Sequence, residues 1–320
     1  TAVHALRQQN FYESQIKPIQ KKVVVIISDA LRYEVAQELM GVLAKRKHIA
    51  HLNFGVAMLP SETKFCKPAL LPHRELRLYG EENGTQNMGV DNRILDSTAK
   101  RTEQVDSYRS GAICVDYEVV GKYDQEKNRE IFKHPLVYVM HNTIDKKSHG
   151  ATAKEVADSC RDAINELDDL VHKILDNFGV TEIYITSDHG FLFNDQDFKE
   201  KDKHKVAENV LEKSSRYYLT TVADTVPGIV KFPLSDVSGM NAEGVYVAVP
   251  EGTNRLAAPS GGYLFTHGGA SLQELIIPII VSKKKIKDTK QLVGVMLLDR
   301  NLSIQASRLR FKLLQTDAVS

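Results

Sequence analysis

This chain has six residues of types that bind metal ions, and each lies at the end of an apolar segment or shortly after one. Three are aspartates and three are histidines: Asp29, Asp145, His149, Asp188, His189 and His267. This mixture of oxygen and nitrogen donors suits Zn²⁺, with Mn²⁺ or Fe²⁺ as alternatives, whereas Mg²⁺ and Ca²⁺ prefer oxygen ligands. Six protein ligands are about what two ions need when each keeps a position open for substrate. The inventory therefore predicts a pair of divalent ions that act on a phosphate ester.

Predicted strands explain how residues so far apart in sequence can meet. The segments 23–28, 136–140 and 182–186 are rich in valine and isoleucine, which is typical of strands buried on both faces of a parallel sheet. Asp29 and Asp188 come where two of these segments end. Ligands bind at the carboxyl ends of the strands in open α/β sheets. We therefore predict that the six residues converge at that edge of the sheet.

Ordinary structural roles compete with metal binding at the first and third strands. Asp29 could cap the helix predicted over 31–45, since aspartate is a favoured N-cap residue. Asp188 and His189 could form a polar turn in which Gly190 adopts a positive φ. When each position is taken alone, neither the structural role nor metal binding is preferred. Only the coincidence of several such positions favours a metal site.

The remaining candidate ligands, Asp145, His149 and His267, are also weak evidence for a metal site when each is taken alone. Asp145 and His149 are four residues apart, a spacing that puts both on one face of a helix or lets both converge from a loop. His267 stands between Thr266 and a Gly-Gly pair, where the backbone could approach a ligand closely. A lone histidine is more often structural, so this position by itself is weak.

A nucleophile is available in the turn Pro60-Ser61-Glu62-Thr63, between a strand predicted over 53–59 and a short helix. A hydroxyl beside a metal ion can lose its proton and attack phosphorus, and a helix N-terminus favours the anionic phosphoryl group. Ser61 or Thr63 could equally cap the helix, and position alone does not separate these roles. Arg32 is a candidate phosphate contact or a solvated arginine in the first helical turn.

Composition excludes several other kinds of protein. The 320 residues are 42% hydrophobic, and 42 basic against 41 acidic residues give a net charge of +1. No global field therefore draws the chain to nucleic acid or to a membrane. No apolar run approaches the roughly 20 residues of a membrane span, and there is no secretory signal pattern. Three sparse cysteines fit a reducing compartment. We expect a cytoplasmic protein without a membrane segment.

The order of predicted elements indicates an α/β fold. A leading helix over 1–20 precedes the first strand, and an amphipathic helix over 153–177 joins two strands of the parallel sheet through a right-handed crossover. Thr152 and Glu155 form a capping-box pattern at its start. Residues 73–130 are expected to form an insertion or cap.

Later segments give further expectations. The charged stretch 194–214 is long enough for a functional lid. Pro278 makes the strand predicted over 275–281 an edge strand or places it at a strand start. Residues 283–320 are expected to begin a C-terminal β-rich domain with an antiparallel unit over 291–314. The chain opens at Thr1 and ends in a strand-like run, so we expect it to be part of a longer protein.

Four motifs in a fixed order resemble a known family. They are Ile-Ile-Ser-Asp-Ala-Leu-Arg-Tyr-Glu, Leu-Pro-Ser-Glu-Thr-Lys, Ser-Asp-His-Gly-Phe and Thr-His-Gly-Gly-Ala-Ser-Leu-Gln-Glu. Over about 20–282 they look like the PglZ domain, the alkaline-phosphatase-superfamily module of BREX phage-defence systems. The resemblance implies an alkaline-phosphatase-like, mostly parallel sheet with helices on both faces, and a catalytic domain over 21–282. It also implies partners among other BREX proteins, including the methyltransferase subunit.

The resemblance also assigns roles, through the nucleotide pyrophosphatase/phosphodiesterases of the same superfamily. Thr63 would be the nucleophile. The ligands of its metal would be Asp29, Thr63, Asp188 and His189, and those of the second metal would be Asp145, His149 and His267. This implies a two-metal phosphodiesterase or nuclease that acts on DNA or a nucleotide. A phosphomonoesterase and a scaffold with vestigial catalysis are the alternatives, whereas a sulfatase lacks support because the turn at 60–63 has no cysteine.

Overall fold

The apolar runs of the sequence form a seven-stranded sheet in this computed structural model. Every residue of the strands Val23–Ser28 and Leu136–His141 is buried. Their β-branched side chains pack well on a pleated surface, and both faces of the sheet are covered. The structure describes residues 5–46, 48–81, 84–122, 125–194, 203–204, 206, 209–224, 226–257, 264–284, 294–298 and 311–316.

The described residues belong to two units, Thr1–Lys284 and Lys285–Ser320. The strands of the first unit are β1 (Leu6–Arg7), β2 (Val23–Ser28), β3 (His48–Val56), β4 (Leu76–Gly80), β5 (Gln86–Val90), β6 (Arg93–Ile94), β7 (Ile113–Asp116), β8 (Leu136–His141), β9 (Glu182–Thr186), β10 (Leu192–Phe193), β11 (Lys203–His204), β12 (Val210–Lys213), β13 (Tyr218–Thr220), β14 (Ile229–Pro233), β15 (Tyr246–Pro250), β16 (Arg255–Leu256), β17 (Phe265–Thr266) and β18 (Ile276–Lys284). The helices are α1 (Tyr33–Leu43), α2 (Thr63–Ala69), α3 (Thr98–Tyr108), α4 (Tyr117–Lys122), α5 (Gln125–Ile131), α6 (Thr143–Ser148), α7 (Ala153–Asn177), α8 (Leu234–Ser238) and α9 (Leu272–Leu275). The second unit contains an antiparallel pair, β19 (Val295–Leu297) and β20 (Leu313–Gln315).

The main sheet confirms the predicted mostly parallel α/β fold. Its strand order is β1-β3-β18-β9-β2-β8-β7. Neighbouring strands are parallel except at β18, which is antiparallel to both β3 and β9. The carboxyl ends of β9, β2 and β8 therefore lie side by side at one edge of the sheet, where the sequence places the metal-binding residue types.

Helices cover both faces of this sheet. Val23, Val25 and Ile27 of β2 join a core that includes residues of α2, whereas Val24 and Ile26 join a second core built with α1 and α7. Helix α7 has the predicted bounds, and its capping box between Thr152 and Glu155 is formed. Alternate residues of β2 thus pack into two different cores, which is why both faces of the strand are apolar.

Strand β18 corrects the expectation drawn from Pro278. The strand is not at an edge, because it lies between β3 and β9. Pro278 is opposite Phe54 of β3, and pairing with β9 begins one residue later, at Ile279. A proline has no backbone N–H to donate, and it is tolerated here because it precedes the part of the strand that is paired on both sides.

Two further boundaries differ from the sequence predictions. The leading segment is not one helix: β1 is followed by a 3₁₀ turn, Gln8–Asn10, and a π-helical turn, Tyr12–Ile16. The strand expected over 53–59 is β3 and begins at His48. Backbone pairing with β18 extends β3 over 48–52, where apolar and polar residues do not alternate.

The 73–130 region is divided between two structures. Strands β4, β5 and β6 form a small antiparallel sheet, while β7 pairs with β8 at the edge of the main sheet. Most of the lid predicted over 194–214 lies outside the described residues. Its described end, β12, belongs to a four-stranded sheet of order β12-β13-β15-β14.

A buried ion pair connects the segment before β13 to the turn at α9. Arg216 and Glu274 are both fully buried, with Nε 3.0 Å from Oε1 and Nη2 2.8 Å from Oε2. Glu274 also accepts hydrogen bonds from the backbone N–H groups of Gly269 and Ser271. The pair therefore fixes the chain immediately after His267.

We expect Arg216→Met to lower the free energy of unfolding by about 3–5 kcal/mol, because it leaves the Glu274 carboxylate buried without its partner. Urea denaturation of the purified chain measures this. The matched control is Arg161→Met, whose exposed pair with Asp158 should change stability by less than about 1 kcal/mol. Equal effects of the two substitutions would contradict the role given to the buried pair.

Candidate active site

The first group of predicted ligands assembles at the carboxyl ends of β2 and β9. Asp29, Asp188 and His189 are fully buried, and one ligand atom from each lies within 4.8 Å of the others. Ala30 adopts a left-handed conformation (φ 59°), and its N–H donates to Asp188 Oδ1 at 3.3 Å. Helix α1 begins at Tyr33 with Arg32 as its N-cap residue, so Asp29 is not the helix cap that it could have been.

The second group assembles beside the first. Asp145 lies in α6, His149 is the residue after that helix, and His267 follows β17. Asp145 Oδ1 is 3.1 Å from His149 Nε2 and 3.5 Å from His267 Nε2. A ligand atom from each of the three lies within 4.8 Å of the others. The four-residue spacing of Asp145 and His149 thus comes from a short helix rather than from a loop.

The two groups adjoin through their histidines. The rings of His189 and His267 are stacked, with centroids 4.2 Å apart and planes inclined by 14°. Of these two histidines, His189 belongs to the first group and His267 to the second. The structure therefore brings all six predicted ligands into one continuous cluster at the sheet edge.

Thr63 lies against the first group. It is the first residue of α2, and its Oγ1 is 2.9 Å from His189 Nε2 and 3.4 Å from Asp29 Oδ1. The cap residue of that helix is Glu62, and no side chain caps it. Ser61 instead donates its hydroxyl hydrogen to the Gly269 carbonyl at 2.8 Å. Of the two hydroxyls in the turn, only that of Thr63 contacts the predicted ligands.

Glycines near the cluster allow close approach of other segments. Gly190 does not have a positive φ, but a Cβ there would lie 2.0 Å from the carbonyl oxygen of Gln273. Its N–H donates to the Glu274 carbonyl at 2.9 Å. Gly268 has a φ of 110°, and a Cβ would lie 2.6 Å from Tyr217 Cδ1. The sequence suggested that small residues here admit a ligand, whereas protein groups fill the space around them.

Lys67 is a member of the cluster that the sequence analysis missed. It is buried, and its Nζ is 2.5 Å from Asp29 Oδ2 and 3.8 Å from Asp188 Oδ2. The signal was available, because residue 67 is four positions after Thr63 and therefore on the same face of α2. Lysine was overlooked because it is not a metal ligand and is rarely buried unless it is paired.

Glu62 was missed as well. Its Oε2 is 3.3 Å from Nδ1 of His267. Burial alone would raise the pKa of Glu62, but the neighbouring His267 outweighs it and lowers the pKa. Glu62 therefore orients His267 from the side away from Asp145, as an outer carboxylate does for a metal-binding histidine.

Burial and crowded charges shift the ionisation of the cluster. Burial and the neighbouring Asp188 carboxylate raise the pKa of Asp29 to about 6, in spite of Lys67 and His189. Burial would lower the pKa of His267, but Glu62 and Asp145 raise it to about 10. Burial would also lower the pKa of Lys67, and the carboxylates of Asp29 and Asp188 outweigh this and raise it. Opposite charges thus compensate one another inside a largely buried cluster.

Two carboxylate oxygens of the cluster lack a hydrogen bond of good geometry among the described residues. They are the buried Asp188 Oδ2, which is 3.8 Å from Lys67 Nζ, and the buried Asp145 Oδ1, whose nearest partner is His149 Nε2 at 3.1 Å. A buried acceptor without a partner is costly, and a cation held by each group would satisfy both oxygens. Carboxylate and imidazole donors together suit a divalent transition metal. The residues present fit one such ion in each group.

Arg32 is not part of the cluster. Its side chain pairs with Glu34 and lies over the ring of Phe191, with 5.0 Å from Cζ to the ring centroid. None of its contacts among the described residues is with a predicted ligand or with Thr63. The contact with Phe191 keeps Arg32 on the face of α1.

Comparison with known sequences identifies the family. A sequence model described as "BREX system PglZ alkaline phosphatase-like domain" matches residues 11–282. The chain is 30% identical over 324 residues to the alkaline phosphatase-like protein PglZ of Bacillus cereus (strain H3081.97), covering 98% of this chain and 37% of that protein. It is 33% identical over 287 residues to the alkaline phosphatase-like protein BrxZ of Escherichia coli O9:H4 (strain HS), covering 87% and 33%. The chain therefore spans about a third of the length of these curated relatives.

Solved structures show the same fold at low identity. Phosphonoacetate hydrolase from Sinorhizobium meliloti 1021, in complex with phosphonoformate, aligns with a TM-score of 0.53 and 12% identity over 82% of this chain and 90% of that one. Human ectonucleotide pyrophosphatase/phosphodiesterase 5 aligns with a TM-score of 0.51 and 11% identity over 82% and 88%. Within the described part of this chain, no helix has both the length and the apolar character needed to cross a bilayer. On the extent of the sequence match, the chain belongs to the PglZ family of alkaline phosphatase-like domains found in BREX systems.

Proposed function

We propose that this domain hydrolyses phosphate esters with two divalent metal ions and Thr63 as the nucleophile. The observation that carries the proposal is the contact of Thr63 Oγ1 with His189 at 2.9 Å, within a cluster where two ligand groups adjoin. A hydroxyl packed against metal-binding side chains is the arrangement that phosphoryl transfer to a protein oxygen needs. The metal of the Thr63 half would be held by Asp29, Thr63, Asp188 and His189, and the other by Asp145, His149 and His267.

The chain's own residues would carry the reaction in two steps. Thr63 Oγ loses its proton and forms a bond to phosphorus while the bond from phosphorus to the leaving oxygen breaks; the leaving oxygen takes up a proton and departs as an alcohol. A phosphothreonine remains, with the second ester group of a diester still on phosphorus. Water then cleaves the phosphothreonine and restores the Thr63 hydroxyl. When bound, the divalent ions supply charge stabilisation and lower the pKa of the attacking hydroxyl. Lys67 and Glu62 hold Asp29 and His267 in place throughout.

The proposal extends to substrate class and setting. We favour a phosphodiester, as in DNA or a nucleotide, because among the described residues the one lysine or arginine in contact with the cluster's carboxylates, Lys67, is already paired with Asp29. A dianionic monoester would call for additional cations. The family is that of BREX systems, and we propose that the domain works in the cytoplasm, in a phage-defence complex that includes the methyltransferase subunit. Residues 21–282 would form the catalytic domain, preceded by the leading segment over 1–20, with 283–320 opening a further β-rich domain of the longer protein.

A scaffold is the alternative to an enzyme. Lys67 partly neutralises Asp29 and Asp188, so the fold has a means of holding these carboxylates that does not depend on catalysis. Under this alternative, bound metal would serve folding alone.

The metal content should follow the two ligand groups. We expect about two zinc or manganese ions per chain after metal-replete purification, and about one fewer in Asp188→Ala or in Asp145→Ala. Elemental analysis of the purified chain measures this, with His134→Ala as a control that removes a histidine outside both groups. A metal-free parent chain would contradict the proposed centre.

Replacing the nucleophile should separate catalysis from folding. Thr63→Ala is expected to lower turnover of a phosphodiester by about a thousandfold or more. The Ser187 hydroxyl, which also contacts Asp188, is buried and donates to backbone carbonyls, so it is not placed to replace Thr63. Thr63→Ser, which keeps a hydroxyl, should retain part of the activity. Because Asp29, Asp188 and His189 remain as ligands in both variants, metal content and thermal unfolding should stay near the parent values.

The same variant tests the scaffold alternative in cells. Thr63→Ala in the full-length protein, within a complete BREX system, should abolish phage restriction while the protein accumulates normally. Restriction at the parent level would favour the scaffold and would make chemistry at Thr63 unnecessary.

The ester preference can be measured directly. With Zn²⁺ or Mn²⁺ present, we expect a higher kcat/KM for bis-p-nitrophenyl phosphate than for p-nitrophenyl phosphate. Assays side by side at equal pH and ionic strength give the ratio. Faster turnover of the monoester would overturn the phosphodiesterase assignment but not the proposed hydrolase.

Lys67 should matter most when metal is absent. We expect Lys67→Met to destabilise the metal-free protein by about 3–5 kcal/mol, because two buried carboxylates lose their cation. Zinc should then stabilise the variant more than it stabilises the parent. Urea denaturation with chelator and with zinc measures both effects. The control is Lys17→Met, which removes an exposed pair with Glu13, and equal losses in the two variants would refute the role of Lys67.

A further inference from the structure

A separate cluster of metal-binding residue types lies at the edge of the main sheet opposite the candidate active site. It consists of His48, the first residue of β3, with His172 and Asp176 of α7. Strand β3 runs from His48 towards the turn that carries Thr63, and its nine residues span roughly 30 Å. This set of three residues, the His48 cluster, is therefore distinct from the two ligand groups described above.

The three side chains of the His48 cluster meet at distances that suit one ion. His172 and Asp176 are four residues apart and so share a face of α7. Nδ1 of His172 is 3.3 Å from Nε2 of His48 and 3.0 Å from Oδ2 of Asp176. Donors that bind a tetrahedral zinc ion at about 2.0–2.2 Å are about 3.3–3.5 Å from one another. Little movement is therefore needed for all three residues to bind the same ion.

Hydrogen bonding alone does not satisfy this arrangement. Nδ1 of His172 carries either one proton or one lone pair, yet it has two close neighbours, Nε2 of His48 and Oδ2 of Asp176. A proton at this nitrogen must be shared between the two neighbours. A lone pair there faces the negatively charged carboxylate oxygen. A cation among the three residues would instead accept a lone pair from each of them.

His48 is held in place with few other polar contacts. The residue is only 9% exposed, and its Nδ1 has no hydrogen-bond partner within the described ranges. The hydrogen-bond contact of its other ring nitrogen, Nε2, is with His172. This buried imidazole therefore presents Nε2 to the cluster, as a metal ligand does.

The charges around the cluster leave Asp176 available to a cation. Nζ of Lys284 is 3.7 Å from Oδ1 of Asp176, and both side chains are partly exposed, by 46% and 36%. An exposed ion pair of this kind contributes little, and the contact leaves Oδ2 facing His172. Asp176 also lies in the last turn of α7, where the helix dipole favours a positive charge.

We propose that His48, His172 and Asp176 bind one divalent transition-metal ion, and that zinc matches their two imidazoles and one carboxylate best. The ion connects the start of β3 to the last turns of α7, and water completes its coordination. The exposure of two ligands and the charge of Lys284 make this site weaker than the proposed catalytic pair. The two ions per chain expected after purification are therefore those of the active site, and the His48 cluster fills when zinc is added.

Calorimetric titration of the purified chain with zinc chloride tests the proposal. We expect the parent to take up one further equivalent of zinc beyond what it retains. His172→Ala and Asp176→Asn, which change partly exposed side chains, should each lose this equivalent or bind it at least tenfold more weakly. His51→Ala is the matched control, because His51 is an exposed histidine of β3 outside the cluster, and it should bind zinc as the parent does.

The outcome does not depend on the proposed hydrolysis. The quantity compared is the difference of one equivalent between the parent and the two variants, whatever the active site holds. Turnover of bis-p-nitrophenyl phosphate by His172→Ala should equal that of the parent, since the His48 cluster is at the opposite edge of the sheet. Equal zinc uptake by the parent and both variants would overturn the proposal, and so would a loss of the same size in His51→Ala.

Discussion

The burial of two carboxylates at the carboxyl ends of neighbouring strands is the constraint on which this structure depends. Asp29 and Asp188 are both inaccessible to solvent, and each would repel the other in a dry environment. Lys67 meets both from α2, and Asp188 still keeps one oxygen without a hydrogen bond. The negative charge is therefore only partly neutralised, and one carboxylate oxygen stays without a hydrogen bond. Under these conditions a bound cation would lower the free energy of the site.

The elements around these carboxylates are arranged to maintain that condition. Helix α2 delivers Lys67 and Thr63 from the same face, so the cation and the proposed nucleophile move together. Glu62 holds His267 on the other side of the cluster, and the ion pair of Arg216 with Glu274 fixes the chain that follows it. The two candidate ligand groups adjoin through the stacked rings of His189 and His267, so these contacts position neighbouring parts of one cluster.

Local sequence predicted some elements well and others poorly, for physical reasons. Helix α7 carries its own capping box and a long amphipathic repeat, so its bounds follow from local chemistry. The leading segment has no such signals, and its turns are shaped by packing of Phe11 and Ile16 into the core. Strand β3 begins earlier than predicted, because pairing with β18 extends it over 48–52, where apolar and polar residues do not alternate. The prediction from Pro278 was wrong because a proline can lie in an inner strand at a position that is paired with only one of the two neighbouring strands.

The sequence by itself determined the fold class, the six candidate ligands and the choice of a hydroxyl turn, because buried strands and metal-binding side chains leave a pattern in the order of residues. Position in the turn did not separate Thr63 from Ser61, and the family resemblance favoured Thr63; the tertiary structure adds that Thr63 contacts the cluster whereas Ser61 bonds to the Gly269 carbonyl. It also revealed Lys67 and Glu62, and it shows Arg32 paired with Glu34 instead of with the predicted ligands. These features depend on which faces of separate elements meet. The local spacing of residues does not predict contacts between segments that are distant in sequence.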